Sequence, residues 1–240
     1  MLDVATLRRP AVIIPATLAT IGLTAALPFL VHLAPPVGGV QLGARLLPIF
    51  LAPLVAAAPP DRFFGYYPGT VAVVTTAHAG ERNLLAVGWH TALSAEPPLY
   101  AVAIGRERHS HGLLRASGAF AACFLPFERA DAIGGVGSTS GRGGVDKFER
   151  YGLATTPGAV LDVPVLADAY LAYECRVVAV HATGDHDLFV GEVVALHHRP
   201  DAFDDRRLLD PGRVRAAVYY GRSVFEALGA GERAVHLPAR

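Results

Sequence analysis

A polar cluster at residues 106–110 is the first place where side chains of this sequence could do chemistry. The cluster directly follows an apolar run and opens a predicted helix, and its members are Arg106, Arg108, His109 and Ser110. Because the N–H groups of a helix N-terminus attract anions, guanidinium and hydroxyl groups beside them form a natural phosphate site. The same residues also fit a capped, solvated helix start. The cluster therefore predicts either an anion site or an ordinary helix N-terminus.

A glycine-rich run, Gly134–Gly144, is the second candidate. Six of its eleven residues are glycine, which predicts a loop. Neither nucleotide-binding glycine motif is present, since the third glycine of G-x-G-x-x-G is missing and no Lys-Ser/Thr pair follows Gly141. The run is either a plain flexible loop or a loop that covers a ligand. In the second case the hydroxyls at 138–140 and nearby backbone N–H groups would bind phosphate.

The histidines do not form a recognisable metal motif. His109 and His111, like His197 and His198, lack the i, i+4 spacing of a zinc-binding helix and have no obvious carboxylate partner, so no metal is predicted. His186 follows Gly-Asp in a turn between two predicted strands. It is either a solvated turn residue or a group that lines a ligand pocket. No G-x-S-x-G nucleophile elbow occurs.

The elements that must position these residues are mostly short strands. Strands are predicted at Thr70–Thr76, Leu84–Trp89, Leu99–Ile104, Ala119–Leu125, Tyr170–Val180 and Asp187–Leu196. Short helices are predicted at His109–Ser117, Glu128–Ile133 and Val145–Tyr151. Many strands and few long helices favour a mainly β fold, a barrel with short helical insertions, over a doubly wound α/β sheet.

The composition excludes several classes of protein. Lys+Arg and Asp+Glu both number 21, so the chain has no net charge and no basic footprint for nucleic acid. With 52% apolar residues, intrinsic disorder is not expected. The two cysteines, Cys123 and Cys175, lie in predicted strands and cannot build a disulfide framework or a four-thiolate zinc site. They indicate a reduced compartment.

The first sixty residues differ sharply from the rest of the chain. They contain only four of the 42 charged residues, and Ala11–Leu33 is a 23-residue apolar run. A run of about 20 such residues spans a bilayer as a helix, and Arg8 and Arg9 before it favour a cytoplasmic N-terminus. We expect residues 10–58 to form a helical membrane anchor or hairpin. The alternatives are a secretory signal and a fusion or gene-start artefact.

A two-pass hairpin would return the following domain to the cytoplasm. The distribution of charged and apolar residues divides the chain into an apolar N-terminal segment at 1–60, a compact domain at 61–225 and a C-terminal tail at 226–240. The larger domain carries nearly all the charge and is long enough for a core of its own.

Residues 63–221 resemble the flavin reductase-like family, the FMN-binding split barrel that includes flavoredoxin. The similarity follows the chain in order, first through 67–76 and through 83–126, which contains VGWHTALS and GRERHSHGLLRASG. It continues through GSTSGRGGVDKFERYGL (137–153), LAYECRVVAVHATGDHDLFVGEVVALH (171–197) and AAVYYG (216–221). The resemblance begins after residue 60, so it carries no information about the apolar segment.

The resemblance implies a six-stranded split barrel, usually a homodimer, with FMN near the dimer interface. In this family the flavin takes a hydride from NADH or NADPH and passes electrons on, and the protein binds and tunes it. We therefore predict an NAD(P)H-dependent flavin reductase. The alternatives are a flavoredoxin-like electron carrier with tightly bound FMN and a membrane-anchored or transport-related protein with a passive flavin-binding barrel.

The resemblance also implies roles for individual residues. The segment expected to lie along FMN supplies Trp89, His90, Thr91 and Ser94. The segment expected near the phosphate and ribityl chain supplies Arg108, His109 and Ser110. The segment expected over the cofactor or its phosphate supplies Ser140, Arg142 and Lys147. His186 is expected beside the isoalloxazine or nicotinamide, as the catalytic residue, whereas Tyr219 and Tyr220 fit either the flavin edge or the core.

Overall fold

A computed structural model of the chain describes residues 67–229. The apolar segment at 1–60, the expected membrane association through 10–58, and residues 230–240 of the tail lie outside the described residues. Within 67–229, no helix is both long enough and apolar enough to cross a bilayer.

The described part is mainly β, which confirms the predicted fold class at that level. Its strands are β1 Gly69–Thr70, β2 Ala72–His78, β3 Glu81–Val87, β4 His90–Ala95, β5 Pro98–Gly105, β6 Ala119–Phe124, β7 Thr155–Pro157, β8 Pro164–Leu166, β9 Leu171–Thr183, β10 His186–His198, β11 Ala217–Gly221 and β12 Val224–Ala227. Its α-helices are α1 His109–Ser117, α2 Ala130–Ser138 and α3 Lys147–Arg150. Two 3₁₀ turns lie at Phe127–Arg129 and Pro200–Ala202.

Seven antiparallel strands form the main sheet, in the order β3-β2-β6-β9-β10-β5-β4. Its two edge strands, β3 and β4, follow each other in the chain and are joined only by Gly88 and Trp89. The sheet therefore curls until its edges approach, but no ladder between described strands closes it into a barrel. The smaller sheets have the orders β1-β11-β12 and β7-β8.

The central strands β2 and β6 are buried on both faces. In β2, Val73 belongs to one apolar cluster, whereas Ala72 and Val74 belong to the other. The first cluster includes Ile133 of α2 and Phe148 of α3, and the second lies inside the curled sheet. Since successive side chains of a strand point to opposite faces, two cores explain why residues 72–76 of β2 and 120–124 of β6 are all buried rather than alternately exposed.

Helix α1 begins and ends where the sequence predicts. Leu113 and Leu114 are buried on its inner side. Gly118 follows with φ of 64°, and its N–H donates to the Leu114 carbonyl, which is the left-handed helix end that glycine favours. This helix start, directly after β5, places residues 106–110 at one end of the main sheet.

The glycine-rich run is not a loop over its whole length, so this prediction is wrong for its first part. Helix α2 continues through Gly134, Gly135 and Gly137 and ends at Ser138. A Cβ on Gly135 would lie 2.3 Å from the Tyr151 ring. Glycine is present here because a neighbouring ring packs against the helix backbone, and the cost in helix propensity is offset by that close packing.

Candidate functional site

Trp89 and His186 come from separate sequence motifs and meet at one end of the main sheet. Their ring centroids lie 4.8 Å apart, with planes inclined by 49°. Strand pairing sets this contact, because His186 lies opposite Gly105 and the Trp89 carbonyl accepts a hydrogen bond from Ala103 at 2.9 Å. The Trp89 side chain is 42% exposed, so much of the indole is accessible to a planar ligand.

The imidazole of His186 is oriented by its neighbour. Its Nδ1 lies 2.6 Å from a carboxylate oxygen of Asp185, which is an acceptor when ionised. Nδ1 therefore donates to Asp185, which leaves Nε2 as the ring nitrogen that can form a hydrogen bond with a ligand. The arrangement suits a group that donates or accepts a hydrogen bond beside a bound ring.

Asp187 fixes the strand that carries His186, and the sequence analysis missed it. Its buried carboxylate accepts hydrogen bonds from Arg106 Nε at 2.8 Å, His111 Nε2 at 2.9 Å and Arg115 Nη1 at 3.3 Å. The bonds from His111 and Arg106 hold the pKa of Asp187 below its ordinary value. Arg106 is thus committed to Asp187 in the described chain. An acidic residue directly before the apolar run Leu188–Val190 is the signal that could have indicated this buried anchor.

His90 begins β4 and is partly buried. Its Nε2 donates to the Thr70 carbonyl at 3.0 Å, and its Nδ1 lies 2.5 Å from the Tyr100 hydroxyl. Burial lowers the pKa of His90, so the ring is neutral and Nδ1 accepts from Tyr100. Both ring nitrogens are engaged within the chain, and the expected place of His90 along the flavin stays a prediction.

Lys147 and Arg108 are the cationic side chains of a second set of candidate residues, separate from Trp89 and His186, and we call them the cationic pair. The Lys147 side chain is only 3% exposed, and its ammonium donates to the Thr139 carbonyl at 3.3 Å. Burial, together with the nearby Arg108 guanidinium, lowers the pKa of Lys147 to about 8. A buried ammonium beside a guanidinium is unfavourable unless an anion joins them, so this pair is suited to a phosphate.

Neighbouring segments bring polar groups to this cationic pair. Asn83 of β3 donates its amide to the buried Ser110 hydroxyl at 2.8 Å. Gly141 lies so close to that amide that a Cβ would fall 2.6 Å from it. The Ser140 hydroxyl accepts from the Arg142 N–H at 3.1 Å. Asn83 was missed by the sequence analysis, although a buried amide within a strand is a polar group that needs a partner.

The Trp89–His186 pair and the cationic pair are connected through the end of β5. Arg142 donates through Nη2 to the Glu107 carbonyl at 2.6 Å. Next to it, the Arg106 N–H donates to the Asp185 carbonyl at 3.3 Å. The loop that carries Ser140 and Arg142 therefore contacts the same β5–α1 connection that borders His186.

Helix α3 is held against β3 by Asp146. The Asp146 carboxylate accepts from the N–H groups of Phe148 at 2.8 Å and Glu149 at 3.2 Å, and from Arg82 Nη2 at 3.0 Å. The Arg82 guanidinium also lies 4.4 Å from the centre of the Phe148 ring. Burial alone would raise the pKa of Asp146, but Arg82 and the two N–H groups hold it below its ordinary value. These contacts determine where Lys147 lies.

The remaining predicted residues occupy more peripheral positions. His109 Nε2 lies 2.7 Å from a carboxylate oxygen of Glu81, on the surface beside the cationic pair. Thr91 and Ser94 lie on the edge strand β4, opposite residues 101 and 99 of β5. Tyr219 packs on Phe225 with ring centroids 4.9 Å apart, which favours the core alternative for this tyrosine.

Two cavities lie away from these groups. The larger, about 420 Å³, is bordered by residues 126, 128, 199 and 211–215. The smaller, about 210 Å³, lies between residues 156, 165–167, 169, 172 and 197–199. Neither of these two cavities is lined by a predicted site residue, and Trp89 of the candidate site is exposed at the surface. Among residues 67–229, no three His, Cys, Asp or Glu side chains are placed to hold a metal ion.

An exposed aromatic–imidazole pair beside cationic side chains is the arrangement expected in the class of protein that binds an elongated ligand with a planar ring at one end and an anion at the other. Within that class the particular family is shown by its sequence model, because the model described as flavin reductase like domain matches residues 64–228. The chain belongs to this family. Membership confirms the resemblance and the prediction of a flavin reductase-like oxidoreductase.

The chain is also similar to individual proteins over most of its described length. The chain is 38% identical to an FMN-binding protein from Thermus thermophilus, solved with 1-cyclohex-2-enone, with a TM-score of 0.68 and coverage of 77% of this chain and 99% of that one. It is 31% identical to the NADH-dependent FAD reductase of Streptomyces globisporus, over 64% of this chain and 85% of that protein. It is also 38% identical to an uncharacterized protein of Aeropyrum pernix, over 65% of this chain but only 59% of that protein.

Proposed function

We propose that this chain is an NADH-dependent flavin reductase that holds the FMN phosphate at the cationic cluster and the isoalloxazine beside Trp89 and His186. The prediction of FMN as cofactor and of NADH or NADPH as co-substrate is confirmed by the FMN-binding and NADH-dependent relatives, which support NADH. The site residues themselves are our proposal. The observation that carries it is the contact of Trp89 with His186 beside the β5–α1 connection, which also accepts a hydrogen bond from Arg142, contains Arg108 and precedes Ser110.

The phosphate end fits the residues present. A phosphate monoester carries a charge of about −1.5 to −2 at neutral pH and three acceptor oxygens. Lys147 and Arg108 supply positive charge, and the helix start at Ser110 supplies backbone N–H groups. The Lys147 ammonium has donors beyond the one bond to Thr139, so an anion would satisfy a buried group that is otherwise poorly compensated.

The ring end combines a stacking surface with a proton-exchanging group. Trp89 offers an exposed indole, and indoles stack well on planar heterocycles. His186, held through Nδ1 by Asp185, directs its other nitrogen toward the ligand side. Bound FMN supplies the hydride acceptor for the nicotinamide. His186 binds and orients the rings by a hydrogen bond through Nε2.

The open surface favours a second copy of the chain as part of the site. Edge strand β4 presents Leu93, 47% exposed, next to Trp89. Unpaired edge strands with exposed apolar residues need cover, and a flavin on an open surface would be in contact with water on one side. We therefore propose a homodimer that completes a split barrel around the cofactor. Gel filtration of the full chain, with and without FMN, measures this directly.

The N-terminal segment remains a separate proposal. The apolar run through 10–58 supports a membrane anchor that leaves the reductase domain in the cytoplasm. Carbonate extraction of membranes containing the full chain tests this proposal. Retention in the membrane pellet supports the anchor, whereas release into the supernatant contradicts it.

The activity is tested by adding FMN and NADH to the purified full chain. We expect an absorbance spectrum of bound flavin and FMN-dependent NADH oxidation. Flavin that exchanges during turnover indicates a reductase, whereas flavin retained through dialysis indicates a flavoredoxin-like carrier. A chain that neither binds FMN nor oxidises NADH in its presence would contradict the proposed function.

A further inference from the structure

Glu107 lies between the two halves of the candidate site. Its carboxylate folds back over Gly105, so that a Cβ on this glycine would lie 2.6 Å and 2.7 Å from the two carboxylate oxygens. The same carboxylate is 3.0 Å from Arg108 Nε. The Glu107 carbonyl accepts the hydrogen bond from Arg142. The chain therefore places one of its own anions at the β5–α1 connection, beside the cationic pair.

The space for this carboxylate depends on Gly105. Gly105 is buried at the end of β5, opposite His186. Any side chain there would meet the Glu107 carboxylate and push it toward solvent, because the carboxylate is the end of a flexible side chain. The absence of a side chain at 105 is thus what permits Glu107 to lie over the strand and contact Arg108.

Arg108 has two possible anionic partners when a flavin phosphate is present. In the chain alone it contacts Glu107, whereas Lys147 nearby donates only to a backbone carbonyl. A phosphate at this position must share Arg108 with the Glu107 carboxylate or displace that carboxylate from Arg108. The phosphate and the carboxylate are both negative, and like charges a few ångströms apart repel. Glu107 therefore makes the binding free energy of FMN less favourable, whereas a flavin without a phosphate is not affected in this way.

We propose that Glu107 is an internal competitor of the flavin phosphate for Arg108, which weakens FMN binding and favours exchange of the flavin over permanent retention. This inference rests on the proposed function. Glu107 acts on affinity through Arg108 and takes no part in hydride transfer. No bond is made or broken, since Arg108 only changes its partner from a carboxylate to a phosphate.

The expected effect is moderate. Both partners are exposed, Arg108 by 58% and Glu107 by 65%, so water and salt screen the pair. We expect Glu107→Gln, which keeps the shape and removes the charge, to tighten FMN binding by about threefold to tenfold. The gain should shrink at high ionic strength.

Fluorescence titrations of the full chain with FMN and with riboflavin test this proposal. Riboflavin has the same ring system without the phosphate, so its affinity should change by less than about twofold in Glu107→Gln. Glu96→Gln, an exposed glutamate in the turn between β4 and β5, is the matched control and should change neither affinity. Gly105→Ala should raise the ratio of FMN affinity to riboflavin affinity as well, by displacing the carboxylate.

An unchanged or reduced FMN-to-riboflavin ratio in Glu107→Gln, with measurable FMN binding by the wild-type chain, overturns this inference alone. A wild-type chain that binds neither flavin overturns the proposed function and this inference together. A raised ratio in Glu107→Gln with no change in Glu96→Gln supports the competition.

Discussion

Trp89 and His186 lie with ring centroids 4.8 Å apart, although one ends the β3–β4 connection and the other begins β10. The contact depends on β5, which pairs with β4 on one side and with β10 on the other. One strand therefore places both rings at the same edge. A planar ligand that stacks on Trp89 necessarily lies near His186.

Replacing Trp89 by alanine should weaken flavin binding about tenfold, because stacking of a base on an aromatic side chain contributes on the order of 1–3 kcal/mol. FMN and riboflavin should lose affinity equally, since the ring system is common to both. Leu208→Ala, at an exposed leucine outside β4 and outside the candidate site, serves as the control. Fluorescence titration gives the affinities. A Trp89→Ala variant with unchanged riboflavin affinity would place the ring elsewhere.

Lys147 should make FMN binding depend on pH. Its pKa in the chain is lowered to about 8, so the ammonium is charged below pH 8 and progressively neutral above it. FMN affinity should therefore fall as the pH rises through about 8 and beyond, because a bound phosphate raises the pKa of the ammonium. Riboflavin affinity should stay flat over the same range. A flat FMN profile from pH 7 to 10 would contradict a phosphate at Lys147.

The same lysine should reduce the stability of the chain without ligand. Because its pKa is lower in the folded chain than in the unfolded chain, the unfolded state binds more protons between about pH 8 and 10.5, and stability rises with pH in this window. Lys147→Met should increase the free energy of unfolding by about 1–3 kcal/mol at pH 7 while weakening FMN binding. Urea denaturation measures the first effect. A destabilised Lys147→Met variant would mean that the charge is well compensated in the free chain.

Asp146 should affect both stability and phosphate binding. Asp146→Ala removes the N-terminal cap of α3 and the partner of Arg82, with an expected loss of about 1 kcal/mol of stability. Since Lys147 follows directly, FMN affinity should fall more than riboflavin affinity. Glu149→Ala on the same short helix is the control. Equal losses for both flavins would show that Asp146 acts only on stability.

Glu174 is expected to stabilise the fold without affecting the flavin. Its buried carboxylate accepts from the N–H groups of Ala159, Val160 and Leu161 and from His197. Burial alone would raise the pKa of Glu174, but His197 and the three N–H groups hold it below its ordinary value, so this stabilisation is lost as the pH falls through that lowered pKa.

Glu174→Gln should cost about 1–3 kcal/mol and leave FMN affinity unchanged. Glu192→Gln, whose partner Arg176 lies 3.8 Å away near the surface, should cost much less. Thermal and urea denaturation at neutral pH compare the two variants. Similar stabilities for both would show that the buried hydrogen bonds of Glu174 contribute little.

The local elements of this fold are readable from the sequence where the pattern is strong. Helix α1 has its predicted bounds because apolar residues at helical spacing are followed by a glycine that accepts a left-handed conformation. Strand β4 was missed because it is an edge strand with a largely exposed pattern and no core-facing alternation. The helix predicted at Glu128–Ile133 overlaps α2, but its continuation to Ser138 was missed because the reason for its glycines is the Tyr151 ring, which is distant in the sequence.

The candidate site was likewise only partly predictable from the sequence. The anion site at residues 106–110 was predicted from residue types near a helix start, although Arg106 binds Asp187 there. The family resemblance brought Lys147 into the prediction and gave His186, already noted in its turn, a role beside the flavin. The roles of Asn83, Asp187 and Glu107 depend on strand pairing and on close packing between distant segments, such as the contact of Gly141 with Asn83. No local pattern in one sequence specifies those contacts.

A crystal structure of the full chain with bound FMN tests the central claim most directly. The account predicts phosphate oxygens within about 3 Å of the Lys147 ammonium and the Arg108 guanidinium, and an isoalloxazine stacked on Trp89 beside His186. The Glu107 carboxylate should have moved away from Arg108. A flavin in either cavity at residues 126–215 or 156–199, or a phosphate remote from Lys147, would contradict the account.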